Sequence, residues 1–191
     1  MKNYIIFGPP GSGKGTLATQ ISELHNIKHI STGDLLRERT TQKDELGLMI
    51  SGLIDNGRYV SDDTIKRVLE EEIKKHGNFI LDGFPRTTTQ IHMLNSLFEN
   101  LPEENKPIAI ILQAQMNTVL ERIRSRGKIE NRADDSDQIL KTRMTEYLKK
   151  TQPVINHYLK FSTSIVLDGN KTKEEVFNDF KIKSDERKQI S

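Results

Sequence analysis

Short apolar runs recur along this chain at Tyr4–Phe7, Phe79–Leu81, Ile108–Leu112 and Ser164–Leu167, each followed by turn or polar residues and then a longer stretch with helical spacing. His29–Ser31 reads as one more short strand. Strands that are apolar on both faces and alternate with helices predict a parallel sheet covered on both sides, because successive parallel strands need crossover connections. The expected class is α/β. Two stretches break the alternation: Ser31–Val60 reads as helices with no apolar strand between them, and Arg126–Ser136 is almost wholly polar. Both are expected to leave the sheet layer. Ser184–Ser191 is polar and charged and reads as a frayed end, and no repeat or low-complexity segment appears.

Length and composition narrow this picture. The 191 residues suit one domain, with a core at 1–30, 61–125 and 137–191 and excursions at 31–60 and 126–136. No apolar run approaches the roughly 20 residues of a membrane-spanning helix, and Tyr4–Phe7 is too short for the apolar part of a signal peptide. The chain has no cysteine, which excludes disulfides and cysteine-ligated zinc and suits a reducing cytosol. A net charge of +2, from 29 basic and 27 acidic residues, gives no global field of the kind that accompanies nucleic-acid binding. Any anion must be held by local arrangement.

Such an arrangement follows the first strand. Gly8-Pro9-Pro10-Gly11-Ser12-Gly13-Lys14-Gly15-Thr16 separates Tyr4–Phe7 from a helical pattern carried by Leu17, Ile21 and Leu24. Strand, glycine-rich loop and helix are the parts of a P-loop, in which backbone N–H groups turn inward on phosphate oxygens and the lysine adds a point charge. The bland alternative is a glycine-rich turn that merely joins strand to helix. General P-loops carry Ser or Thr directly after the lysine; here Gly15 stands there and Thr16 follows, which leaves the usual hydroxyl contact to magnesium in doubt. A second candidate is Phe79-Ile80-Leu81-Asp82-Gly83-Phe84-Pro85-Arg86-Thr87, which sets a carboxylate at a strand's end and an arginine just beyond a turn. Asp82 suits magnesium through its water shell, or else caps the next helix.

These segments, with Ser31-Thr32-Gly33-Asp34-Leu35-Leu36-Arg37 and Arg132-Ala133-Asp134-Asp135, closely resemble the adenylate kinases, in order, from Tyr4 to about Phe180. The resemblance implies transfer of the terminal phosphoryl group of MgATP to AMP, giving two ADP, by a P-loop fold with a five-stranded parallel sheet. It further implies two closing parts, an AMP-binding excursion matching 31–60 and a short lid matching 126–136. Members of this family normally have glycine after the loop lysine, as here. The lid is too short for the zinc-bearing hairpin of the long members, so zinc is not expected; magnesium is expected with ATP. A cytosolic monomer is implied by analogy.

Joining two polyphosphate anions asks for charge clamps, and arginine provides a planar, permanently charged fork. The resemblance assigns Gly11, Ser12, Gly13, Lys14, Gly15 and Thr16 to ATP. Arg37 and Arg86 fall to the AMP phosphate, Arg122 and Arg126 to the ATP side and transferring group, and Arg132 and Arg143 to closure over AMP from the lid side. Gly83, Phe84 and Pro85 match the AMP site, Arg58-Tyr59-Val60 the stretch under its base, and Lys171 the backbone beside the ATP adenine. Thr32 and Gln90 favour AMP over the pyrimidine acceptors of the related UMP/CMP kinases, since a glutamine amide matches the N1 acceptor and N6 donor of adenine. The five histidines, His25, His29, His76, His92 and His157, match no catalytic position and are expected at the surface or at helix ends. Gln113 and Gln115 replace acidic residues usual in relatives, with no physical account from sequence alone.

Overall fold

The computed structural model describes residues 3–42, 44–99, 102, 105–130, 137–161 and 164–188, with the side chains of 71, 126–130, 137, 138 and 188 excepted. Five parallel strands, β1 (Tyr4–Phe7), β2 (Lys28–Ser31), β3 (Phe79–Asp82), β4 (Ile108–Gln113) and β5 (Ile165–Asp168), lie in the order β2-β3-β1-β4-β5. All four residues of β1 are buried, as a central strand covered on both faces requires. Alternation sorts them. Ile5 and Phe7 join Ile30, Leu81 and Ile111 on one face, while Tyr4 and Ile6 join Ile80, Ile110 and Leu167 on the other. The second face is closed by Leu17, Ala18 and Ile21 of α1 (Lys14–His25) and by Val176 and Phe180 of α9 (Lys173–Lys188). Each of the larger side chains, from Val to Phe, contributes about 1.5–3 kcal/mol through burial.

The first face is covered by the remaining helices, among them α4 (Asp62–Lys75), α5 (Thr88–Phe98) and α6 (Met116–Glu130). The excursion over 31–60 is helical as expected: α2 (Thr32–Thr40) and α3 (Glu45–Ile54) occupy it with no strand between them. Its starts are fixed by capping, with Ser31 accepting from the Asp34 amide and Asp44 from the Gly47 amide. Ser61 and Thr87 cap α4 and α5 in the same way, so Thr87, and not Asp82, starts the helix after β3. Asp82 and Asp168 each extend their strands past the apolar run, because backbone pairing continues through a residue whose side chain is polar.

Between α7 (Asp137–Glu146) and α8 (Gln152–Tyr158) the chain makes a π-turn over Tyr147–Thr151, closed by the Gln152 amide donating to the Tyr147 carbonyl. Pro153 follows at the start of α8 and has no N–H to return to the carbonyl four residues earlier. The turn inserts an extra residue and turns Thr151 into the interior.

Two phenols beside this turn titrate high. Burial pushes Tyr158 up to about 12 from 10.0, and burial, with a smaller contribution from Tyr59, raises Tyr147 to about 12. The folded chain therefore keeps protons that the unfolded chain sheds, so this stability is whole below pH 10.0 and is lost as pH rises through about 12. Unfolding free energies measured by denaturant from about pH 9 to about pH 12 should fall for the wild type and fall less steeply for Tyr158→Phe.

Candidate active site

Phe7 ends β1 at the C-terminal edge of the sheet, where open α/β folds collect ligands. Residues 8–13 then turn the chain back, and Gly13, left-handed at φ 95, starts α1 with no side-chain cap. The first amides of that helix are available to an anion. Gly11 shows why the loop needs glycine: φ is +79, and a Cβ would lie 2.6 Å from Ile123 Cγ1 of α6. Lys14 Nζ donates across the loop to the Pro9 carbonyl at 2.9 Å. Ser12 is buried with its Oγ unpartnered, a group that phosphate oxygen would satisfy.

Gly15 and Thr16 are exposed at the first turn of α1. A Cβ at Gly15 would come 3.6 Å from Asp82 Oδ2, so the position after the loop lysine faces the Asp82 carboxylate, and glycine leaves the way to it open. His29 Nε2 lies 3.7 Å from the same oxygen and is buried with no hydrogen-bond partner. His29 stands on β2 with its side chain partly exposed and its Nε2 turned toward Asp82. Strand alternation held the signal, since His29 shares a face with Ser31, which pairs in register with Asp82.

One continuous pocket runs from this loop to the excursion. Lys14, Arg37, Arg58, Arg86 and Arg143 all line it, with Gly83, Phe84, Pro85, Gln90, Tyr59 and Val60 forming much of its wall. Arg37 folds over Gly33 and pairs with Asp34. Arg86 is fixed by Nε donating to the Gly83 carbonyl at 2.6 Å, and its guanidinium carbon lies 5.1 Å from the centre of the Tyr59 ring. The Phe84–Pro85 peptide is cis. Thr32 Oγ1 donates to the Asp82 carbonyl at 3.1 Å. Gln90 is buried, and both ends of its amide have protein partners: Oε1 accepts from the Arg86 amide at 2.7 Å and Nε2 donates to Asp62 Oδ1 at 2.6 Å. Sequence reasoning missed Asp62, which sits in the first turn of α4, 28 positions from Gln90.

A second pocket lies behind the loop, lined by Ser12, Gly13, Thr16, Gln20, Arg122, Lys171 and Lys173. Arg122 binds backbone here: Nη1 donates to the Ser12 and Gly169 carbonyls and Nη2 to the Asn170 and Lys171 carbonyls. The Lys171 ammonium pairs with Asp179 at 2.7 Å, which raises its pKa above the ordinary value. Gln113 and Gln115 brace the same loop through their main chains, by a Gly169 amide to Gln113 carbonyl bond of 2.7 Å and a Gln115 amide to Asn170 Oδ1 bond of 2.8 Å. Arg126 falls within α6, but its side chain, and all of Arg132, lie outside the described residues.

Comparison with known proteins agrees with this geometry. The family model described as adenylate kinase matches residues 6–163. The chain belongs to the adenylate kinase family. It is 35% identical over 210 residues to an adenylate kinase of Methanosarcina barkeri, covering 94% of this chain and 96% of that protein. Against an adenylate kinase of Kosmotoga olearia identity is 37% over 198 residues, with 88% and 92% covered. Against one of Prochlorococcus marinus it is 38% over 162 residues, with 83% and 85% covered. The activity of an adenylate kinase is ATP:AMP phosphoryl transfer, and the α/β architecture with a five-stranded parallel sheet is the one expected of it.

In this adenylate kinase Gly83 leaves no room for a side chain. Its φ is +86, and a Cβ would lie 2.5 Å from Thr32 Oγ1 and 2.7 Å from Arg86 Nη2. Gly83→Ala should lower unfolding free energy by about 1–3 kcal/mol in denaturant melts.

Proposed function

We propose that this chain performs its ATP:AMP phosphoryl transfer with AMP in the large pocket and MgATP along the glycine-rich loop. The observation that carries this reading is the single cavity that joins Lys14 to Arg37, Arg86 and Arg143, so that two phosphate-bearing ligands can meet across it. On the acceptor side, Arg37 and Arg86 take the AMP phosphate, with Arg143 beside them. Gln90 and Thr32 read the base after the Gln90 amide exchanges its protein partners for adenine, and Arg58, Tyr59 and Val60 form the floor, next to Gly83, Phe84 and Pro85.

On the donor side, backbone N–H groups of Gly11, Ser12, Gly13, Lys14, Gly15 and Thr16 surround the phosphates and the Lys14 ammonium leaves the Pro9 carbonyl for them. Lys171 and Arg122 border the donor base. Arg126 and Arg132 meet the transferring group from the 126–136 stretch, as the family resemblance implies. The reaction is direct in-line transfer: the protein supplies alignment and positive charge for the oxygens that carry the developing charge. Closure of 31–60 and 126–136 over the substrates excludes water, which would otherwise accept the phosphoryl group.

Among the described residues no group of three or more His, Asp or Glu side chains is placed to hold a metal ion. A lone carboxylate, Asp82, left open by Gly15, fits a hydrated magnesium ion that arrives with ATP and is gripped mainly by phosphate oxygens. That ion neutralises phosphate charge when bound. Among the described residues no helix is long and apolar enough to cross a membrane. The reading places the enzyme in the cytosol as a monomer without a nucleic-acid partner, in keeping with a cysteine-free chain of net charge +2.

The test is phosphoryl transfer from MgATP to AMP, CMP, UMP and GMP by the wild type and by Arg86→Ala. AMP should be the preferred acceptor, and the variant should lose about 10- to 100-fold or more in kcat/KM for AMP, the loss expected for hydrogen bonds to a charged group. Preference for CMP or UMP would reassign the base pocket, and unchanged AMP kinetics in Arg86→Ala would refute the clamp.

A further inference from the structure

We propose that Tyr59 and Thr151 are positioning residues for Arg86, joined to it in a closed circuit that sets the guanidinium for the acceptor phosphate before any ligand enters. The Tyr59 hydroxyl meets Thr151 Oγ1 at 2.8 Å, and Thr151 Oγ1 also reaches the Arg86 carbonyl at 3.1 Å. The ring of Tyr59 returns to the other end of the same residue, beneath the Arg86 guanidinium. One arginine is therefore held at its backbone by Thr151 and at its head by Tyr59, and the two holders are bonded to each other.

The hydroxyl chemistry is consistent with a directed chain. Thr151 has one proton and two lone pairs. Donating that proton to the Arg86 carbonyl leaves an oxygen lone pair to accept from the Tyr59 phenol. The Gly83 carbonyl takes only the Nε proton of Arg86, so the two Nη groups, the fork that binds phosphate in bidentate fashion, are free of that contact. A neutral ring and a neutral carbonyl fix the guanidinium without cancelling its charge. Lys150 Nζ, paired with Glu146, lies 5.3 Å from the centre of the same Tyr59 ring, so a second cation braces the ring.

The fold makes a specific provision for this contact. Thr151 is the last residue of the π-turn and is buried. Without the residue inserted there, the helix would carry the position at 151 round by about 100° and away from Arg86. Tyr59 comes from the other side of the pocket, at the close of the 31–60 excursion and just ahead of the Ser61 cap of α4. The circuit thus spans 92 positions in sequence at the Tyr59–Thr151 bond. Holding a long side chain in its binding geometry in advance removes an ordering cost from ligand binding.

This inference rests on the reading that Arg86 takes the AMP phosphate, and the experiment separates the two. Tyr59→Phe keeps the ring and removes the hydroxyl, Thr151→Val keeps the shape and removes the hydroxyl, and Thr151→Ser keeps the hydroxyl. Steady-state KM for AMP and for ATP, calorimetric titration with AMP alone and thermal midpoints would be measured for each, for the Tyr59→Phe/Thr151→Val double variant, and for Tyr59→Phe in an Arg86→Ala background. Tyr59→Phe and Thr151→Val should each raise KM and Kd for AMP about three- to tenfold with KM for ATP unchanged. Thr151→Ser should stay near wild type, and the double variant should be no weaker than the worse single one. In the Arg86→Ala background Tyr59→Phe should have no further effect. Lowered thermal midpoints with unchanged AMP binding, or additive effects of the two hydroxyl deletions, would overturn the inference while leaving the acceptor site in place. An Arg86→Ala variant with unaltered AMP binding would remove the acceptor-site reading, and this inference with it.

Discussion

Parallel pairing of β1 with β3 is the constraint on which the site depends. Ile6 stands opposite Asp82, so the loop after Phe7 and the turn after Asp82 leave the sheet side by side, at the same edge. The glycine-rich loop and the turn that leads to Arg86 are neighbours for that reason. Register also decides which way Asp82 faces: a slip of one position would carry it from the α1 side, next to Gly15 and His29, into the apolar cluster around Phe7 and Leu81. Burial on both faces of β1 and β3 makes that slip prohibitively costly, since it would expose or invert every side chain of a strand that has no solvent face.

Near this edge three cations make contacts with neutral groups. Lys14 rests on the Pro9 carbonyl, Arg86 on the Gly83 carbonyl and the Tyr59 ring, and Arg122 on the carbonyls of Ser12, Gly169, Asn170 and Lys171. A neutral carbonyl or ring orients a cation without cancelling its charge; a carboxylate would cancel it. Where charge is not needed for a ligand the chain does use carboxylates, as in the exposed Arg39–Asp44 pair, which lowers the Asp44 pKa through its hydrogen bond to Arg39 while tying α2 to the start of α3. Arg37, which also lines the pocket, pairs with the Asp34 carboxylate instead.

Much of this was legible in the chain itself. The apolar runs locate four of the five strands, because a buried parallel strand admits almost nothing else; β2, with Ile30 alone buried, shows only as a short further strand at 29–31, and the absence of an apolar strand in 31–60 fits its helical structure. The glycine-rich loop and the Asp82–Arg86 segment are legible too, because each is a matter of residue types at short, fixed spacing. What stayed hidden are partnerships between distant positions: Gln90 with Asp62, Tyr59 with Thr151, Thr151 with Arg86, and the four carbonyls gathered by Arg122. A threonine in a helical stretch carries no mark of the π-turn that redirects it, and the histidine at position 29 looks idle until β2 is laid beside β3. Gln113 and Gln115 were opaque for another reason, since their part here is played by main-chain atoms that every residue type shares.

The Arg122 contacts bear on how the molecule is made. Synthesis delivers the glycine-rich loop within the first residues, yet three of the carbonyls that tie Arg122 behind it belong to 169–171, and the face of β1 beside α1 is covered by α9. A chain still emerging from the ribosome therefore carries the recognisable loop long before it carries the carbonyls that hold Arg122 behind it. The last strand and the last helix complete the surroundings of the first loop, so that region reaches its final packing only when nearly the whole polypeptide has been made.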